Sequence, residues 1–149
     1  MSETDEKELA ARKLFAQATA MFKAKRWSEA ESLFGQSATL FPSSLAWLGT
    51  AIACWEQQNF ARAAICAEWC LHAIPIRDTP ESQAGLVRFE ANDWRGVEEW
   101  FRKLLNTPPV DTPTYLFLCI ALVNLGRINE AGEQLQSAWK QEWADSERR

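Results

Sequence analysis

The sequence has little of what most enzyme active sites and nucleic-acid interfaces require. It contains one histidine, His72, and its 16 basic residues are outnumbered by 20 acidic ones, which gives a net charge of −4. A nucleic-acid binder would normally present a basic face. No glycine-rich phosphate loop follows a strand, and the acidic pair Glu98-Glu99 is typical of a solvated helix face. We therefore predict that the protein is not an enzyme, needs no cofactor and binds no nucleic acid.

Long hydrophobic runs are also missing. The longest uncharged hydrophobic run is YLFLCIALV at residues 115–123, about half the length that spans a bilayer. The chain opens with the acidic stretch MSETDEKELA instead of the basic segment and apolar run of a signal peptide. These features predict a cytoplasmic location and no membrane insertion.

Cysteines are few, and their spacing argues against a disulfide scaffold. Cys54, Cys66, Cys70 and Cys119 lie within helical patterns instead of loops. Cys66 and Cys70 share a helix face close to His72, which raises a metal site as an alternative. No second pair of ligands stands at zinc-finger spacing, and a free cysteine commonly behaves as a small buried hydrophobe. We predict structural cysteines and no metal site.

What the sequence does contain is an internal repeat with a period of 33 to 34 residues. Each unit has an aromatic or aliphatic marker residue, followed three positions later by alanine or valine. The markers are Trp27, Phe60, Trp94 and Ile128. Because proline cannot continue a helix, Pro42, Pro75 and Pro109 predict where three units end. In the fourth unit, Trp143 stands where the proline would be.

With these residues the chain resembles tetratricopeptide (TPR) repeat proteins, whose units are 34-residue helix–turn–helix pairs. The small position of the first helix is held by Ala18, Ala51, Gly85 and Cys119. The bulky position four residues earlier is held by Leu14, Trp47, Glu81 and Tyr115. The resemblance implies an all-α fold, a right-handed TPR superhelix of about four helix–turn–helix repeats and about eight helices.

The same resemblance gives the predicted boundaries. A single TPR domain is expected over residues 1–149, with repeats at about 11–43, 44–77, 78–111 and 112–145. Residues 1–10 are predicted to form an acidic N-terminal lead, and residues 144–149 a frayed tail. Two helix starts are predicted at Thr79-Pro80 and Thr112-Pro113, each an N-cap followed by proline.

The third repeat departs from the pattern. Its DTP start lies 33 residues before the next DTP, whereas the flanking markers are 34 residues apart. Strict spacing would place Glu81 and Arg88 at buried positions, which is costly without partners. We therefore predict that the first helix of this repeat is shifted by one residue. The shift turns Leu86 and Phe89 inward and shortens the turn before Trp94.

The stretch WLGTAIACW at residues 47–55 carries no charge and has a tryptophan at each end. On a helix its apolar residues form an arc about 160° wide, whereas a stripe of about 100° usually suffices for burial. In TPR proteins such surplus side chains of the first helices line a concave groove. The resemblance therefore implies the partner-binding residues Phe15, Phe22, Leu48, Ile52, Trp55, Val87, Leu116, Ile120 and Val123.

From this groove we predict a non-enzymatic adaptor or chaperone that holds an apolar or amphipathic segment of another protein. Repeats one and two, with WLG at 47–49 and AC at 53–54, also resemble TPR chaperones of type III secretion translocators. Two alternatives stay open: the chain itself fills the groove, or two copies bury their apolar surfaces in a homo-oligomer. Trp69, Trp100 and Trp139 are interpreted as partly buried on the outer helices, with a second contact surface as the alternative.

Overall fold

The computed structural model describes residues 1–148, which form eight α-helices and no strand. The helices are α1 (Glu3–Lys23), α2 (Trp27–Leu40), α3 (Ser44–Glu56), α4 (Phe60–Leu71), α5 (Pro80–Glu90), α6 (Trp94–Leu105), α7 (Thr112–Asn124) and α8 (Ile128–Arg148). Consecutive helices pair as hairpins, and each of the four pairs is joined by a three-residue turn. The predicted all-helical, TPR-like fold is confirmed.

The turns within the four hairpins share one backbone conformation. Their middle residues all have positive φ, at 59° for Lys25, 64° for Gln58, 58° for Asn92 and 78° for Gly126. The next residue donates its N–H to the carbonyl five residues earlier, as Arg26 does to Met21 at 2.9 Å. This arrangement is a Schellman motif, which satisfies carbonyls at a helix C-terminus. Because the four middle residues recur every 33 or 34 positions, the backbone itself confirms the period.

The predicted register shift in repeat three is wrong. Gly85 is buried, and a Cβ added there would lie 2.4 Å from Cε2 of Phe101. Gly85 therefore occupies the small position of the unshifted register. The turn before Trp94 has three residues, as in the other hairpins, and is not shortened. Leu86 and Phe89 are half-buried.

Arg88 can occupy this register because its side chain is only partly enclosed. Its stem lies over Gly96, where an added Cβ would come within 2.4 Å of Arg88 Cδ. Its guanidinium donates to the carbonyl of Ala84 at 3.0 Å. A long cationic side chain can bury its stem while its head stays hydrated, so the desolvation cost that motivated the shift is avoided.

The irregularity of repeat three lies in its helix start. Thr79 is the N-cap of α5 and Pro80 its first residue, as predicted. In α7 the cap is Asp111, whose carboxylate accepts the N–H of Thr114 at 3.3 Å, so the predicted cap at Thr112 is wrong. The motif DTP offers two side chains that can cap a helix. The two repeats use different ones, and this explains the 33-residue spacing.

Helix ends follow the prolines. Helices α2, α4 and α6 stop a few residues before Pro42, Pro75 and Pro109, whereas α8 passes Trp143 and continues to Arg148. The frayed tail predicted at residues 144–149 is therefore wrong as far as residue 148, and residue 149 lies outside the described residues. At the other end, most of the acidic lead is helical, because α1 begins at Glu3 after a capping box at Ser2.

Each group of four helices forms a compact unit. The first unit is Met1–Ala73, with contacts of α1 to α2, α2 to α3 and α3 to α4. The second begins at Ile74, with the same sequence of contacts from α5 to α8. The repeat positions form the core in both units, and all are buried: Ala18, Ala30, Phe34, Ala51, Ala63, Ala67, Gly85, Val97, Phe101, Cys119, Ala131 and Leu135.

Candidate interaction surface

Four of the nine predicted partner-binding residues are not accessible. Leu48, Ile52, Leu116 and Ile120 are each at most 3 % exposed. The prediction that such side chains are surplus to the packing is wrong for them. Helix α3 contacts both α2 and α4, and α7 contacts both α6 and α8. A helix with neighbours on two sides needs a wide apolar arc, which explains the breadth of the WLGTAIACW stretch.

The other five predicted residues keep some accessible surface. Phe15, Phe22, Trp55 and Val123 are half-buried, and Val87 is 64 % exposed. The first three belong to the first unit and the last two to the second, so neither unit gathers the whole set. Partner binding at the nine positions stays a prediction.

Two of these rings are held against the start of the next helix. Phe22 packs edge-on against Trp27 with ring centroids 5.1 Å apart. Trp55 packs in the same way against Phe60, at 4.7 Å. These contacts give both rings a structural role in closing their hairpins, whatever else they contact.

The largest exposed aromatic surface lies elsewhere, on α4. Partial burial is confirmed for Trp100 and Trp139, which are half-buried, while Trp69 is 54 % exposed. One face of the Trp69 indole stacks on Trp47, with centroids 5.8 Å apart and planes inclined by 21°. Ile65, one turn earlier on the same helix, is 55 % exposed. The two side chains form an apolar pair on the outward side of α4.

A cleft of about 230 Å³ accompanies this pair, lined by Ile65, Glu68, Trp69 and His72. We call these four residues the α4 surface. His72 caps the C-terminus of α4, as expected from its position, and its ring lies 6.2 Å from that of Trp69. Sequence reasoning missed Ile65. The available signal was its spacing of four residues from Trp69, on the side opposite the buried Ala63 and Ala67.

The cysteines are buried and unbridged, in agreement with the structural role predicted for them. A hydrogen bond with Cys66, together with burial, raises the pKa of Cys54. The hydrogen bond that Cys54 donates lowers the pKa of Cys66, although burial opposes this. Burial raises the pKa of the Cys119 thiol to about 12. Within residues 1–148, no three potential metal ligands come together.

An ion-pair network joins α6 to the last hairpin. Glu98 accepts from Arg102 at 2.8 Å and from Arg127 at 2.6 Å, and Arg127 also pairs with Glu130. Burial of Glu98 acts to raise its pKa, but the hydrogen bonds from the two arginines outweigh it, so the pKa is lowered. The charges of this network are mutually satisfied, which indicates a structural role.

No helix in the described part of the chain combines the length and the hydrophobicity needed to cross a lipid bilayer.

Comparison with known proteins gives one solved structure of similar fold. No protein-family model matches the sequence, and no curated protein is similar to it. The fold is similar to the crystal structure of MamA, a TPR-like protein, with a TM-score of 0.49 and 14 % sequence identity. The alignment covers 92 % of this chain and 81 % of that chain. A similarity of this degree transfers no function.

Proposed function

We propose that this chain is a non-enzymatic protein-interaction module that holds an apolar or amphipathic segment of a partner protein on the α4 surface. The observation that carries the proposal is the exposed indole of Trp69, fixed on Trp47 beside an exposed isoleucine and a cleft. Adaptors and chaperones share this activity. The resemblance of repeats one and two to chaperones of apolar clients supports an apolar segment as the ligand.

The geometry of Trp69 favours recognition over simple packing. A tryptophan held by stacking loses little conformational entropy when a partner covers its free face. Tryptophan is also among the residues that dominate binding energy when they become buried at the centre of an interface. Glu68 and His72 stand at the edge of the cleft, where they can accept and donate hydrogen bonds to the backbone of a bound segment.

The area sets the scale of affinity. A tryptophan side chain presents up to about 250 Å², so the 54 % exposed part of Trp69 is about 130 Å². At about 25 cal/mol per Å², covering it contributes about 3 kcal/mol. Ile65 adds roughly 1 kcal/mol by the same reasoning. Association costs at least about 4 kcal/mol, so a partner needs contacts beyond these two side chains, and affinity in the micromolar range is expected.

The accessible members of the predicted groove provide such contacts in this proposal. Phe15, Phe22 and Trp55 belong to the same unit as α4 and keep part of their surface accessible. Val87 and Val123 belong to the second unit, so Val87 supplies a matched control outside the α4 surface: it is exposed, aliphatic and surrounded by a helix of its own.

The test is capture followed by measured binding. The wild-type chain is used to capture proteins from a lysate of its source cells, and overlapping peptides of each captured protein are titrated by calorimetry. We expect an apolar or amphipathic peptide to bind, with affinity reduced at least about tenfold by Ile65→Ser with Trp69→Ser and unchanged by Val87→Ser. Circular dichroism checks that helix content is retained. Equal binding by the double variant would overturn the proposal.

Light scattering separates the alternative of self-association. A chain that holds a foreign segment remains monomeric as its concentration rises. A concentration-dependent dimer that disappears in the Ile65→Ser, Trp69→Ser variant would replace the proposal with a homo-oligomeric scaffold.

A further inference from the structure

A different kind of surface lies on α5 and α6 in the second unit. The ring of Trp100 is contacted by two cations: Lys103 Nζ lies 3.9 Å from the ring centroid, and Arg88 Cζ lies 5.4 Å from it. Trp100 and Arg88 are half-buried and Lys103 is exposed. We call these three residues the basic surface. It brings two positive charges to one indole in a chain whose net charge is −4.

The position of Arg88 is built into the packing of the hairpin. Its stem passes over Gly96, the only kind of residue that leaves room there, because an added Cβ would come within 2.4 Å of Arg88 Cδ. One guanidinium nitrogen donates to the carbonyl of Ala84 at 3.0 Å. The guanidinium carries five N–H groups, so most of its donors remain available. Arg88 is therefore held in place with its charge directed toward the ring.

Neither cation of the basic surface is neutralised by a carboxylate. Among the ion pairs within residues 1–148, Arg102 on the same helix is paired with both Glu98 and Glu130, but Arg88 and Lys103 take part in none. Glu99 precedes Lys103 by four residues, the spacing that favours a pair on a helix, yet Lys103 lies over the ring instead. The local excess of positive charge is thus a property of this surface and not of α6 as a whole.

We propose that the basic surface binds an acidic segment of a protein partner, with carboxylates that accept hydrogen bonds from Arg88 and Lys103. Two neighbouring cations suit one or two carboxylates, since charge-assisted hydrogen bonds to arginine are directional and strong. A nucleic-acid backbone would need a longer basic tract, which this acidic chain does not offer. The inference concerns the second unit and does not depend on the α4 surface.

The test uses a synthetic peptide of about twelve residues, rich in glutamate, and the same peptide with glutamine in place of glutamate. The full chain is labelled with nitrogen-15, and the indole N–H signal of Trp100, assigned by its loss in Trp100→Phe, is followed during titration. We expect the acidic peptide to shift this signal and the glutamine peptide to leave it unchanged. Raising the salt concentration from about 50 mM to about 300 mM should weaken binding severalfold, because exposed charges become screened.

Charge-removing variants show whether the named residues are responsible. Lys103→Gln and Arg88→Gln should each weaken binding of the acidic peptide at least about fivefold. Lys140→Gln removes an exposed lysine of α8 and should leave binding unchanged. Because Lys103 is exposed, its variant remains informative even if Arg88→Gln perturbs the hairpin.

Three outcomes would overturn the proposal: equal binding of the glutamine peptide, an equal effect of Lys140→Gln, or absence of any shift of Trp100. Tighter binding of a single-stranded oligodeoxynucleotide than of the acidic peptide would also overturn it and identify the surface as a nucleic-acid contact. None of these results bears on capture by the α4 surface, which is measured with other variants.

Discussion

Replacement of Gly85 by alanine is expected to destabilise the chain, although alanine is the better helix former. In the middle of a helix, the exchange of glycine for alanine gains about 1 kcal/mol in intrinsic propensity. At position 85 the new Cβ would lie 2.4 Å from Cε2 of Phe101 and 2.9 Å from two further ring carbons. The ring has no room to withdraw, because Phe101 is buried and stacks on Phe117 with centroids 4.5 Å apart.

The magnitude follows from these opposing effects. Overpacking of a dense core costs about 1–3 kcal/mol, and a contact below 3 Å with a rigid ring belongs at or beyond the upper end. After subtraction of the propensity gain, we expect a net loss of about 1–2 kcal/mol. For a chain of 149 residues this lowers the melting temperature by roughly 2–8 °C.

The assay is urea and thermal unfolding followed by circular dichroism, with Gly35→Ala as the matched control. Gly35 lies within α2 and has no atom within 4 Å of an added Cβ, so its exchange should stabilise the chain by about 0.5–1 kcal/mol. Combining Gly85→Ala with Phe101→Leu should recover part of the loss, which a double-mutant cycle measures. If Gly85→Ala stabilises the chain as Gly35→Ala does, position 85 is not at the helix crossing, and the unshifted register of repeat three is refuted.

Three further predictions concern a turn, an ion pair and a thiol. Gly126→Ala should lower the free energy of unfolding by about 1 kcal/mol because its φ is 78°, and an unchanged melting temperature would contradict this. Because the pKa of Glu98 is lowered in the folded state, its stabilising contribution is present above about pH 4.5 and is lost as the pH falls through the folded pKa. Glu98→Gln should therefore show a smaller loss of stability than wild type between about pH 6 and pH 3, and parallel curves would refute the argument. Burial raises the pKa of Cys119 to about 12, so iodoacetamide should alkylate it only after unfolding in urea, as measured by mass spectrometry; rapid labelling of the folded chain would be the contrary result.

The repeat could be predicted from the sequence because its signals are local. Markers such as Trp27 and Trp94 begin helices, and small residues such as Ala51 lie where helices cross. Proline and its replacement by Trp143 also act within one helix, so the end of α2 and the greater length of α8 follow directly from the chain. Such features need no knowledge of which helices become neighbours.

The features that sequence reasoning missed depend on alternatives or on neighbours. DTP can cap a helix through either of two residues, and only the packed structure selects Thr79 in one repeat and Asp111 in the other. The exposure of Leu48 was misjudged because the width of an apolar arc does not reveal how many helices cover it. Trp69 carries no periodic signal at all, and its exposure follows from the fact that Trp47 covers one face only.

The left-handed residues in the hairpin turns leave room for improvement of this chain as a laboratory reagent. A side chain with positive φ stores about 1 kcal/mol of strain, and three of the four turns carry one, at Lys25, Gln58 and Asn92. The fourth has already adopted glycine. Importing that solution into the remaining turns would harden the scaffold while leaving every helix face untouched, so binding studies could tolerate harsher surface substitutions before the fold gives way.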